Sequence, residues 1–109
     1  MDDKSLIFLK HILENIEKID KFTEGMSKEE LIKDELKQYA VVRAIEIIGE
    51  AAKSIPENFK RENSNIPWRK IVGSRDKMIH HYFGIDLNIV WDIIQIDLVD
   101  LKKKVERLI

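Results

Sequence analysis

Leucine, isoleucine and valine return every three or four residues along almost the whole chain, and only four glycines and two prolines interrupt them. That spacing lays an apolar stripe along a helix; a strand, whose side chains alternate between two faces, cannot gather it on one side. Leu6, Leu9, Ile12, Leu13, Ile16 and Ile19 predict a first helix from about Ser5 to Phe22. Thr23-Glu24-Gly25-Met26 breaks it, with Gly25 placed as a C-terminal cap. Ser27, with Glu30 three residues on, opens a second helix as a capping box does. Apolar positions then run from Leu31 to Ile55 without a proline, predicting one helix of about 28 residues, roughly 42 Å long. The polar, aperiodic stretch from Pro56 to Ile66 reads as a loop. Pro67 suits the first turn of a third helix through Trp68, Ile71, Val72, Met78 and Ile79, which Gly73 invites to kink. Phe83-Gly84-Ile85 is a turn, and Asp86 caps a fourth helix reaching almost to Ile109. Its last turns carry Lys102, Lys103, Lys104 and Arg107, cations on the favourable end of the helix dipole. The expected fold is all-α, a four- to five-helix up-down bundle forming one domain over residues 1–109.

Composition narrows the classes of function. With no cysteine in 109 residues, disulfide scaffolds, zinc–thiolate sites and thiol nucleophiles are excluded. Nineteen Lys and Arg against 20 Asp and Glu give a formal charge of −1, so the surface is not uniformly basic, though a local basic site is allowed. The acidic start Met1-Asp2-Asp3-Lys4 is unlike a signal peptide, and no uncharged apolar run is long enough to span a membrane. The expected location is the cytoplasm. The fourth helix carries Val90, Trp91, Ile93, Ile94, Ile96, Leu98, Val99, Leu101, Val105 and Leu108, more apolar residues than one stripe needs. Burial of two faces against a second copy predicts a homodimer; a helix threaded through its own bundle is the alternative.

Chemistry concentrates between Trp68 and His81. Arg69, Lys70, Arg75 and Lys77 stand there against Asp76 alone, a local charge of +3, and His80 and His81 precede Tyr82 directly. An Arg can grip a phosphate with a fork of N–H groups and a His can carry a proton near neutral pH, the needs of phosphodiester chemistry. On one ideal helix Arg75 and His80 would point about 140° apart, so sharing a phosphate requires a helix start or bend near Arg75, or a second copy. His80 and His81 would diverge by about 100°, which argues against a zinc pair. His11 reads as surface, Trp68 and Trp91 as core anchors, and Lys102 to Lys104 as a solvated helix end. Arg43, Glu46, Glu50 and Lys53 form a polar stripe, a solvated face unless one of the glutamates turns to orient Arg75 or His80.

The run Arg75-Asp76-Lys77-Met78-Ile79-His80-His81-Tyr82 is Arg, four residues, His, one residue, Tyr. With Arg43-Ala44-Ile45-Glu46-Ile47-Ile48-Gly49-Glu50 upstream, Trp68-Arg69-Lys70-Ile71-Val72-Gly73 between and Phe83-Gly84-Ile85-Asp86 after, it resembles the HepT toxins of the HEPN superfamily. The resemblance implies a helical homodimer that cleaves RNA without a metal ion, the motifs of two chains facing each other. It implies that Arg75 stabilises the phosphate and His80 is the general acid/base, with Asp76 in the small polar position after the Arg; from the polar stripe itself, Glu50 is the carboxylate expected to support them. It also implies a two-gene toxin–antitoxin pair, of type II/VII character. The antitoxin would be a minimal nucleotidyltransferase that transfers AMP from ATP to Tyr82, so that ATP serves the partner and the chain itself needs no cofactor. A non-catalytic helical module that docks a nucleotidyltransferase, or binds a nucleotide, is the alternative.

Overall fold

The computed structural model describes residues 1–80 and 84–109, with His80 described through its backbone alone. The described chain is all-α apart from one two-residue strand pair. Helix α1 (Asp3–Phe22) begins where Asp2 accepts the Ser5 N–H at 2.6 Å and the Ser5 hydroxyl at 3.2 Å. It buries Leu9, Ile12, Ile16 and Ile19. Thr23 closes it by donating its hydroxyl to the Ile19 carbonyl at 2.8 Å, and Gly25 turns the chain at φ 70°, a conformation that costs a side chain dearly.

The capping box forms as expected. Glu30 N–H donates to Ser27 Oγ and Ser27 N–H to Glu30 Oε1, each at 3.2 Å. The helix it opens does not run for 28 residues. It ends after one and a half turns as α2 (Lys28–Lys33), and Asp34, at φ −112° and ψ 90°, starts α3 (Glu35–Ser54). The Asp34 carboxylate accepts the Lys37 N–H at 3.0 Å, and the Gln38 amide donates to the carbonyls of Leu31 and Ile32, both at 2.9 Å. One side chain thus caps the new helix and another satisfies carbonyls of the old one, so the break leaves these polar groups bonded. Turning the chain at Asp34 lets Leu31 and the Val41–Ile45–Ile48 stripe enter the same core, which a straight rod could not do.

The stretch expected as a loop holds α4 (Glu57–Glu62). Phe59 and Ile66, 7% and 2% exposed, pin it to the core, and Phe59 meets Trp68 edge to face at 6.4 Å between ring centroids. The third helix is two: α5 (Trp68–Val72) and α6 (Ser74–Met78), parted at Gly73. A Cβ at Gly49 of α3 would lie 3.4 Å from the Ile71 carbonyl oxygen, so glycine lets α5 approach α3 closely. After Met78 the chain is extended. Strand β1 (Ile79–His80) pairs antiparallel with β2 (Gly84–Ile85), and the Asp86 N–H donates to the Met78 carbonyl at 2.8 Å.

Asp86 caps α7 (Leu87–Asp92) as expected, accepting from the N–H groups of Asn88 and Ile89. A π-helical turn (Ile93–Asp97) carries the rod into α8 (Leu98–Leu108). Of its ten apolar residues expected to cover two faces, six lie buried in the same chain: Val90, Ile93, Ile94, Leu98, Leu101 and Val105. Ile96 and Val99 remain exposed. One contiguous apolar cluster joins residues from α1 through α8, each large aliphatic side chain in it contributing about 1.5–3 kcal/mol by burial. Among the described residues no helix is long and apolar enough to cross a membrane.

Candidate functional site

The break at Gly73 restarts the helix one residue before Ser74, whose hydroxyl donates to the Lys70 carbonyl at 3.2 Å across the joint. At the other end Met78 is wholly buried. Helix α6 is therefore held at both ends, packs on α3, and presents Arg75 from its first turn.

Arg75 Nε donates to Glu46 Oε2 at 3.0 Å. The Glu46 side chain is 21% exposed and that of Arg75 59%, so the carboxylate is the sheltered partner and the guanidinium the accessible one. A guanidinium has two edges that can grip an oxyanion. Glu46 takes the Nε edge, and the edge formed by the two terminal nitrogens keeps the geometry that can grip an oxyanion. Asp76, 91% exposed, stands 4.0 Å from Arg75 Nη1, a loose pairing that a competing anion can replace. Glu50 is one turn further along α3, and its carboxylate is 3.5 Å from Arg43 Nη1, both side chains exposed. Of the two glutamates on the polar stripe, Glu46 reaches Arg75 and Glu50 pairs with Arg43.

The obstacle that a straight helix posed does not arise. Arg75 is on α6 and His80 is on β1, past the end of that helix, so the ideal-helix angle of about 140° does not describe the pair. The His80 side chain, His81 and Tyr82 lie outside the described residues, and so do the roles expected of them. Gly84, opposite His80 in the strand pair, has φ 76° with no atom within 4 Å of an added Cβ. Its backbone conformation, not crowding, calls for glycine there.

Beside this strand pair, Ile32, Tyr39, Gly84 and Ile85 frame an open pocket of about 460 Å³, and Leu36 one turn away is 78% exposed. Another pocket, largely apolar and of about 330 Å³, lies between α3, α5 and the π turn, and Lys70 Nζ and Asp97 Oδ1, 3.0 Å apart, belong to its lining. Among the described residues no three His, Asp or Glu side chains cluster as a metal site would require.

Comparison with known proteins gives one consistent result. The family model described as Ribonuclease HepT-like matches residues 12–108. The chain is 46% identical to the "Probable ribonuclease HepT" of Thermococcus cleftensis over 93% of its own length and 92% of that protein's. It is 44% identical to a "Putative RNase" of Methanocaldococcus jannaschii, covering 94% of this chain and 84% of that one. With a "Putative RNase" of Caldanaerobacter subterraneus subsp. tengcongensis it shares 40% over 94% and 91% of the two lengths. No solved structure gives a significant match.

Proposed function

The chain belongs to the HepT-like ribonuclease family, and we propose that it is a metal-independent endoribonuclease, the toxin of a toxin–antitoxin pair acting in the cytoplasm. The observation that carries this reading is the setting of Arg75: bound at Nε by Glu46, open at its outer edge, and five residues before a histidine that has left the helix. In the reaction, the ribose 2′-oxygen attacks the adjacent phosphorus and the bond to the 5′-oxygen of the next nucleotide breaks, giving a cyclic phosphate. His80 moves the proton, and Arg75 stabilises the charge that grows on the phosphate oxygens. No step requires a metal ion or a cofactor bound to this chain.

The reading extends to a homodimer in which two such motifs face one cleft. The exposed Leu36 and Tyr39 beside the Gly84–Ile85 strand support it, since they offer apolar surface next to the motif for a second copy to cover. It extends also to control by a nucleotidyltransferase antitoxin. The Tyr82 phenol oxygen attacks the α-phosphorus of ATP held by that partner, giving up its proton as pyrophosphate leaves, and the AMP bound to Tyr82 adds bulk and negative charge to the motif.

The test is cleavage of RNA by the pure protein in excess EDTA, with intact mass recorded. Cleavage that persists in EDTA and is lost in Arg75→Ala and in His80→Ala is the expected result. Unmodified protein that cuts no RNA overturns the reading in favour of a module that only docks a nucleotidyltransferase. An added AMP mass on Tyr82 in inactive protein identifies the silenced toxin.

A further inference from the structure

An open groove of about 1050 Å³ runs between the end of α3, α4 and α5. Lys53, Lys60, Arg61, Arg69 and Lys70 line it, against a single carboxylate, Glu57. Two of these cations are engaged. Lys60 Nζ is 3.6 Å from Glu57 Oε1 and donates to the Lys53 carbonyl at 3.3 Å, and Lys70 Nζ is 3.0 Å from Asp97. Lys53, Arg61 and Arg69 are exposed and form no ion pair with a carboxylate among the described residues. In a chain of formal charge −1, such a concentration is a local feature and not a general property of the surface.

The floor of the groove is apolar and fixed. Trp68 is 8% exposed and its indole N–H donates to the Asn63 carbonyl at 3.1 Å, while Gly49 lets α5 press against α3. With its indole buried, Trp68 offers no open ring face on which a base could stack, so recognition here rests on charge. Two lining residues lie near the Glu46–Arg75 pair. Lys53 follows Glu46 by seven residues on α3, which puts the two on one face about 10 Å apart along the axis. Val72, in the groove lining, is three residues before Arg75.

We propose that this groove holds the phosphate backbone of single-stranded RNA flanking the cleaved bond, with Lys53, Arg61 and Arg69 as its sequence-independent contacts. The proposal rests on the ribonuclease reading of Arg75 and His80 and gives that site a second, separable region for substrate. An acidic protein segment would satisfy the same charges. RNA is favoured because cations from three helices line the groove and Lys53 and Val72 of its lining stand close to the Glu46–Arg75 pair along α3 and along the chain.

The test compares the parent with Lys53→Gln/Arg61→Gln/Arg69→Gln, all exposed positions, by fluorescence anisotropy of a labelled single-stranded 20-nucleotide RNA across a salt series. The expected result is an affinity at least tenfold weaker, and a salt dependence shallower by about 2 in log–log slope, near 0.7 for each cation lost. Lys10→Gln/Lys18→Gln/Lys21→Gln on α1, with the same loss of charge, is expected to bind like the parent. Cleavage of a trinucleotide by the groove variant is expected to match the parent, while KM for the 20-nucleotide RNA rises. Equal affinity and equal salt slope in parent and groove variant overturn the proposal. So does a groove variant that loses binding of polyglutamate but keeps that of RNA, which assigns the groove to an acidic protein. A parent of unmodified mass that binds the 20-nucleotide RNA through these residues yet cuts none sustains the groove and removes the nuclease reading instead.

Discussion

The bond between Glu46 and Arg75 joins residues 29 apart in sequence, and on the proposed ribonuclease reading Glu46 positions the guanidinium. A lone arginine on a five-residue helix would sample many rotamers; a carboxylate at Nε confines it and turns its outer edge to solvent. Glu46→Leu is expected to lower kcat/KM for RNA about tenfold, a loss near 1.4 kcal/mol of transition-state stabilisation. Glu46→Gln, which keeps an oxygen acceptor, should recover most of that loss. Glu50→Gln, which touches only the pair with Arg43, should cut like the parent in the same assay. Equal loss in the Glu46 and Glu50 variants would remove the distinction. Sequence could single out Arg75, one of four cations clustered between Trp68 and His81, but it could not separate the two glutamates. They lie one turn apart on the same stripe of α3, and only the placement of α6 decides which one the guanidinium meets.

At the scale of elements, the helix starts at Ser27 and Asp86 and the breaks at Gly25 and Gly73 were legible, and the break at Asp34 was not. Ser27 with Glu30, and Asp86 before Leu87, act through bonds to N–H groups two or three residues away, so local sequence is enough. Asp34 breaks an apolar period that continues on both sides of it, and the bonds made by Gln38 that support the break lie six and seven residues back. Asp34→Ala is expected to destabilise the fold by about 1 kcal/mol, the usual value of an N-cap side chain, read as a lower urea midpoint at unchanged m-value. Helix α4 escaped notice because two apolar residues, Phe59 and Ile66, anchor an otherwise polar stretch. The end of α6 escaped notice because Ile79 continues the apolar pattern while its backbone, at φ −104° and ψ 118°, has already become extended.

Across the whole molecule, the rod of α7 and α8 is tied to α1 at its rim. Lys102 Nζ lies 3.2 Å from Asp20 Oδ2, and this hydrogen bond and the carboxylate's charge raise the Lys102 pKa above its ordinary 10.5. The stabilisation from a raised lysine is complete below its unfolded pKa and disappears as pH climbs through the folded one. Lys102→Met should therefore lower Tm slightly at pH 8, a loss below about 1 kcal/mol, and the gap should narrow as pH rises beyond 10.5. A gap that stays constant into strong alkali would show that the charge contributes nothing. At the other end, the two bonds from Ser5 hold the Asp2 carboxyl below its ordinary 3.8, so its contribution is present above that pH and lost as pH falls through the folded value. Met78, at the end of the helix that carries Arg75, belongs to the same contiguous core as Leu9, Ile48 and Val105. Helix α6 has no separate foundation that could melt ahead of the rest. Thermal inactivation should accordingly share one midpoint with loss of helical circular dichroism. The Asp86 amide, bonded to the Met78 carbonyl, should exchange its hydrogen only when the entire protein opens.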